Sequence, residues 1–424
     1  MCKKSLATTS LLCHHWLPSS QQYLFRSIDL HWHEPTAVRT VDVGNYHRFD
    51  IFRQALDTDS GQHLAGYVQN FTLRGDFFQP AVSSSTLATL FARLPALRYL
   101  ALSDLTIVHQ EDVDTLHFAR HPLLELHLLH VRFGFVQPPT RCAIREAGVE
   151  KDDNIICSLV DVLNLFTTIR TLRLAQVDSE WDEDEEEADN FEAHVTHVVH
   201  ATRRKLAVRI ERLVNVDLNI VPGRAVVLEL LHLALKDIFA YACFHRGDPW
   251  ASNNLLREVG HTLVDLRLLI SSTRWAKGFN YDISACSRLA TVHVLLDFGS
   301  EQKLVSARRD EAKLVTMLNL IPQLPSTITR VVIDFYHYPS TLASQYEPRW
   351  QLADRFLCEA RLLSEVAVTF CMAASESLKC SDLLKQLWPG LHSRNLLRVC
   401  SKDVDEWSYS DETFQIIHGI MRMW

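Results

Sequence analysis

The segment SSSTLATLFARLPALRYLALSDL, Ser83–Leu105, carries two apolar periods in succession. Leu87, Leu90, Phe91 and Leu94 fall at i, i+3, i+4 and i+7, which puts them on one face of a helix. Ser84 or Ser85 can cap that helix at its start, and Pro95 stops it. Leu97, Leu100 and Leu102 follow as an LxxLxL triplet whose last part alternates as a strand does. The same order of apolar helix, breaker and triplet returns at Ile156, Leu159, Val160 and Leu163 before Ile169, Leu172 and Leu174. It returns again at Leu314, Met317, Leu318 and Ile321, with Pro322 and Pro325 ahead of Ile328, Val331 and Ile333.

Working outward, the triplet reads through FRSIDL, VQNFTL, LRYLAL, LLELHL, IRTLRL, LVNVDL, LVDLRL, LATVHV, ITRVVI and LSEVAV. The triplet alone is a weak signature; its order after a helix and a breaker carries the inference. One helix and one strand cannot bury their apolar sides alone, so successive units must stack, with strands parallel on one face and helices on the other. The expected fold is therefore α/β: an irregular leucine-rich-repeat-like solenoid over residues 31–424, with spacing less regular than a consensus repeat.

Because side chains alternate along a strand, residues between the core positions point to the open sheet face. That face is expected to show Tyr99, Glu125, His127, Thr171, Arg173, Asn215, Asp217, Asp265, Arg267, His293, Arg330, Asp334 and Glu365. Its mixed charge suits a specific protein surface or a plain solvated sheet face. As a target-binding surface its named contributors are Tyr99, Arg173, Arg267, His293 and Arg330, since aromatic and guanidinium groups anchor protein contacts more often than other polar side chains.

Two insertions interrupt the repeats. DSEWDEDEEEADNFE, Asp178–Glu192, is a self-repelling acidic block, read as a mobile loop or a docking site for a basic partner. Val221–Asn254 opens with Pro222 and Gly223, and its Val227, Leu230, Leu231, Ala234 and Ile238 predict an amphipathic helix packed on the outer side.

Composition narrows the function. The 424 residues are 47% hydrophobic and 22% charged, a globular balance, and the net charge of -8 with a pI near 6.2 argues against a general nucleic-acid binder. Ten cysteines lie scattered without a CxxC pair, which fits a reducing cytoplasmic or nuclear location. No run is apolar enough to span a membrane, and the start lacks a small-residue cleavage site. The chain has no glycine-rich phosphate loop, GxSxG elbow or HExxH, so no catalytic residue or cofactor is assigned. His194, His197 and His200 lie at i, i+3 and i+6, where the outer two diverge by about 240° around a helix and cannot share one metal. Cys13-His14-His15 and His31-Trp32-His33 are too close in sequence to form a site alone.

The stretch SLLCHHWLPSSQQYLFRSI, Ser10–Ile28, sets Trp16, Leu17, Tyr23, Leu24 and Phe25 ahead of the first repeat. It resembles the second half of an F-box, in which a helix reading roughly "slvCrxWlp" leads into "sxxxLFrsi". Leu11, Leu12, Cys13, Trp16, Leu17 and Pro18 match the helix; Leu24, Phe25, Arg26, Ser27 and Ile28 match the exit. With the repeats behind it, the chain is similar to the F-box-like proteins with irregular leucine-rich repeats that are numerous in fungi. The resemblance implies a partial F-box-like helical segment at residues 1–30 whose Leu11, Leu12, Trp16, Leu17, Pro18, Leu24 and Phe25 face the Skp-type adaptor of a cullin-RING ligase. It implies a substrate-recognition subunit of a Skp–cullin–F-box ubiquitin ligase, with the solenoid holding the target. The family's opening "LPxEllxxIfxxL" helix has no counterpart after Met1, so tight adaptor docking is expected only once such a helix is placed ahead of it. The alternative is a stand-alone repeat scaffold without ligase coupling.

Overall fold

The computed structural model describes residues 17–32, 48–75, 79–108, 121–133, 135–136, 156–179, 208–217, 231, 238–245, 250–270, 281–298, 304–336, 346–371 and 374–402. The chain is α/β and divides into two compact units, residues 1–211 with 221–235, and residues 212–220 with 236–424.

The first unit contains, in order, α1 (Leu17–Phe25), β1 (Ser27–His31), α2 (Arg48–Ala55), α3 (Asp59–Ala65), β2 (Asn70–Arg74), β3 (Ala81–Ser83), α4 (Ser84–Ala92), β4 (Tyr99–Val108) and β5 (His121–Phe133). There follow β6 (Phe135–Val136), β7 (Ile156–Cys157), α5 (Ser158–Leu163), β8 (Phe166–Ala175) and β9 (Asp178–Ser179). β1, β2, β4, β5 and β8 pair side by side in chain order, all parallel. β6 and β7 form a separate antiparallel pair. α4 is capped by Ser83, whose side chain accepts from the Thr86 N–H at 3.1 Å. Ser84 and Ser85, the expected caps, are instead buried within the first turn. Leu87, Leu90, Phe91 and Leu94 are buried, as the helical spacing requires.

One device recurs ahead of the strands. In several triplets the residue after the first apolar position offers its carbonyl to two successive N–H groups of the neighbouring strand. Arg26 accepts from Gln69 and Asn70, Gln69 from Arg98 and Tyr99, and Arg98 from Leu124 and Glu125, at 2.8–3.1 Å. This fixes the register, so Phe71, Leu100, Leu126 and Leu172 fall in one buried row, and Leu73, Leu102, Leu128 and Leu174 in the next.

β4 and β5 then run on beyond the triplet. Leu105, Ile107, Val131 and Phe133 are buried too, yet they lie three and five residues past Leu102 and Leu128, out of step with strict alternation. The extra residue in each strand, Asp104 or His130, takes a left-handed backbone with φ of 54° or 51°, and Gln176 after β8 does the same at 52°. A single left-handed residue shifts side-chain parity as a bulge does. It lets the strand bend and bury a second set of apolar side chains against β3 and β9. The first two residues of the acidic block thus belong to a strand; residues 180–192 lie outside the described residues.

In the second unit, Arg212–Asp217 of β10 (Arg209–Asp217) is followed by β11 (Ala240–His245), α6 (Trp250–Val259), β12 (Asp265–Ile270), β13 (Thr291–Asp297), α7 (Leu304–Leu320) and β14 (Arg330–Tyr336). α8 (Glu347–Glu359), β15 (Glu365–Cys371), α9 (Ala374–Leu387), α10 (Pro389–Ser393) and β16 (Leu397–Lys402) complete it. The strands again pair in chain order and in parallel. Phe239 accepts from Val264 and Asp265, Val264 from Ala290 and Thr291, and Ala290 from Thr329 and Arg330. Side-chain hydroxyls reinforce these junctions: Thr262 donates to the Ile238 carbonyl at 2.8 Å, Thr329 to Ala290 at 2.9 Å and Ser364 to Thr329 at 2.8 Å. α7, α8 and α9 touch one another in turn and cover one side of this sheet, burying Leu314, Met317, Leu318 and Ile321. Trp350 and Trp388 meet edge to face, with the Trp388 indole N–H donating to the Trp350 carbonyl at 3.0 Å. Asp354 on α8 accepts the Gly390 and Leu391 N–H groups at 2.8 and 2.9 Å, satisfying the start of α10.

Three readings need correction. β10 is in register through Leu213 with Tyr241 and Leu266, so its buried positions begin at Ile210 and Leu213 and not in the LVNVDL frame. In register Asn215 is paired with Cys243, which is paired with Leu268, and Asp217 is paired with His245. Second, Ile238 ends no helix: it is buried just before β11, where Ile238 and Tyr241 are buried and Cys243 is in register with Leu268. Of the proposed outer helix only Leu231 is otherwise described; Val227, Leu230 and Ala234 lie outside the described residues. Third, β16 adds a strand that the triplet does not mark, because Arg394 stands where the first apolar residue would be.

The close approach at the bend gives a direct test. A Cβ on Gly75 would stand 1.8 Å from the Asp104 carbonyl oxygen. Gly75→Ala should therefore displace main chain and lower the free energy of urea unfolding by about 1–3 kcal/mol.

Candidate functional site

The open face of each sheet carries the polar residues left between the buried rows. In the first unit one row runs Ser27, Asn70, Tyr99, Glu125 and Thr171, and the next Asp29, Thr72, Ala101, His127 and Arg173. Asn70 donates to the Ser27 hydroxyl at 2.9 Å, and Arg74 lies 3.3 Å from Asp29. Glu125 gathers two partners: its Oε2 lies 2.8 Å from His127 Nε2 and 3.6 Å from Arg173 Nε. Tyr99 is in register beside Glu125 and keeps 41% of its surface in solvent. Among the expected target-binding residues, Tyr99 and Arg173 thus share the neighbourhood of one carboxylate.

Arg267, His293 and Arg330 belong to the second unit. Its rows read Asp265, Thr291, Arg330 and Glu365, then Arg267, His293, Val332, Ala367 and Arg398, then Leu269, Leu295, Asp334, Thr369 and Cys400. Arg267 and His293 are direct neighbours, and Arg267 lies 3.7 Å from Asp265. His293 Nε2 meets Asp334 Oδ2 at 2.5 Å, and that carboxylate side chain is only 4% exposed. Arg330 Nε donates to Glu365 at 2.8 Å, while Arg398 reaches the other oxygen of Glu365 at 3.5 Å. Arg398 escaped the sequence reading because β16 lacks the leading apolar residue; period-two alternation of Leu397, Arg398 and Val399 was the available signal.

The adaptor-facing residues of the F-box resemblance divide differently. Leu11, Leu12 and Trp16 lie outside the described residues. Leu17 and Pro18 open α1, where proline is tolerated because its missing N–H would have no helical partner. Leu24 and Phe25, expected at the exit, still lie in that helix and are half-buried. Tyr23 is exposed, and a single residue separates α1 from β1.

Chemistry beyond pairing finds little to work with among the described residues. No group of three metal-ligating side chains converges there. The histidines 194, 197 and 200, and Cys13, His14, His15 and His33, lie outside the described residues. A partly open apolar recess of about 10 Å³ is lined by Phe335, Trp350, Phe370, Cys380 and three leucines of α9 and offers no polar group for chemistry. Burial, with Asp282 adding to it, pushes the Cys286 thiol up to about 12, and burial also raises Cys358. Such thiols stay protonated and poor as nucleophiles at neutral pH. No helix among the described residues is long and apolar enough to cross a membrane.

No known protein family and no curated protein matches this sequence.

Two outcomes follow from the geometry. His293→Ala removes a donor from the buried Asp334 carboxylate and should cost about 1–3 kcal/mol of stability, whereas Glu365→Ala, in an exposed cluster, should change it by less than about 1 kcal/mol. Urea unfolding of both variants checks this. Separately, peptide-level mass spectrometry after iodoacetamide treatment at pH 8 should find Cys286 unmodified in the folded chain and alkylated in denaturant.

Proposed function

We propose that this chain is a non-enzymatic substrate-recognition subunit of a Skp–cullin–F-box ubiquitin ligase, holding its target protein on an irregular leucine-rich-repeat-like solenoid. The observation that carries the reading is the open sheet face. Parallel strands hold Glu125 with His127 and Arg173, His293 with Asp334, and Arg330 with Glu365 and Arg398 at fixed register. A surface ordered before binding loses little entropy when a partner docks, and paired charges give it specificity. Support for ligase coupling comes from the F-box-like stretch, whose Leu17–Phe25 helix leads within one residue into the first strand. In this reading α1 contributes Leu17, Pro18, Leu24 and Phe25 to the Skp-type adaptor, and the chain works in the cytoplasm or nucleus without a cofactor.

The test is a titration of purified Skp-type adaptor against two forms, the unextended chain and one with an F-box first helix fused ahead of Met1. The fused form should bind submicromolar and the unextended chain much more weakly. If the fused form shows no binding, the chain is better described as a stand-alone repeat scaffold for protein–protein interaction.

A further inference from the structure

On the open face of the second unit, Val332 and Ala367 are the small, half-buried residues between His293 on one side and Arg398 on the other. With neighbouring strands about 4.8 Å apart, this leaves a dimple about 14 Å wide from β13 to β16. Arg330 and Glu365 rim it toward the strand starts, and Asp334 and Thr369 toward the strand ends. The heights of the rim groups are unequal. The side chains of Arg330 and Arg398 are 51% and 69% exposed, while those of Glu365 and Asp334 are 26% and 4% exposed. The carboxylates lie low, Glu365 against the two guanidinium groups and Asp334 against the His293 ring, so an approaching partner meets arginine first.

We propose that this dimple receives an acidic side chain from an extended, carboxylate-rich segment of a partner protein. The methylenes of an incoming glutamate would lie over Val332 and Ala367, and its carboxylate would take charge-assisted hydrogen bonds from Arg330 and Arg398. Planar guanidinium groups suit a carboxylate better than a point cation does. Glu365 has the positioning role: by bonding Arg330 and Arg398 at its two oxygens it sets both on one side of the dimple. A basic segment would instead face two exposed cations. A nucleic-acid backbone would need a run of cations, and here Asp265, Asp334 and Glu365 interrupt it. The inference rests on reading the open face as a docking surface and names the chemistry of its occupant. The adaptor titration probes only the N-terminal segment, so the two tests fail separately.

Fluorescence anisotropy of a labelled octaglutamate peptide against the full chain, at about 50 mM salt where charge contacts are weakly screened, tests it. Arg330→Ala with Arg398→Ala should weaken binding by at least about tenfold. Ala367→Leu, which keeps both arginines but fills the floor, should weaken it as well. Arg355→Ala, removing an exposed charge from α8, should leave it unchanged. Undiminished binding by the double variant, equal loss in Arg355→Ala, or tighter binding of octalysine or of an eight-nucleotide single strand would each overturn the proposal.

Discussion

A main-chain carbonyl just ahead of a strand, taking two successive N–H groups from the next strand over, determines where the other side chains of the paired strands stand. Arg26, Gln69 and Arg98 do this in the first unit, and Phe239, Val264 and Ala290 in the second. The pattern needs no particular side chain, which is why arginine, glutamine, phenylalanine, valine and alanine all serve. Its effect is on register. A slip of one residue would turn every leucine of a strand out to solvent, so fixing the first bond fixes the entire apolar row. The polar rows on the opposite face are aligned by the same bonds, and any recognition surface there inherits its spacing from the backbone.

Within those rows the charges are arranged to hold one another. Glu125 serves a histidine and an arginine, and Glu365 serves two arginines. Ion pairs that water reaches add little to stability because water screens them and long side chains lose freedom in forming them. Their effect is to narrow the conformations of groups that would otherwise sweep the surface. The His293–Asp334 pair differs in that its carboxylate is buried, and there the bond satisfies a group that water hardly reaches.

Much of the fold was legible because large aliphatic residues occupy the triplet positions, as in LRYLAL and LVDLRL. It failed where other chemistry fills those positions. At β11 the triplet positions fall on Ile238, Tyr241 and Cys243, and the stretch before them reads more strongly as a helix. In β10 Asn215 stands at the sixth position, so the apolar residues nearby suggested a frame shifted by three. Ahead of β16, Arg394 fills the place of the triplet's first apolar residue, and Arg398 was lost with it. The left-handed residues were beyond reach for another reason: Asp104, His130 and Gln176 share no residue type, and only the change of apolar spacing from two to three marks the bend. Tyr99, Arg267, His293 and Arg330 were legible as open-face residues because alternation along a strand needs no partner to be known. Which carboxylate each would meet depends on neighbouring strands, and adjacency in space is not written in one segment.

The distance along the chain between bonded neighbours has a kinetic side. The hydroxyl bonds that join successive strands connect residues 24, 39 and 35 positions apart. Closing a loop costs entropy that grows only with the logarithm of its length, so each of these closures carries nearly the same penalty. Adding another strand to such a row lengthens the chain without lengthening the loops that must close. Relative contact order therefore falls as the row grows, and the search for the native state proceeds by extension from whichever pair of strands forms first.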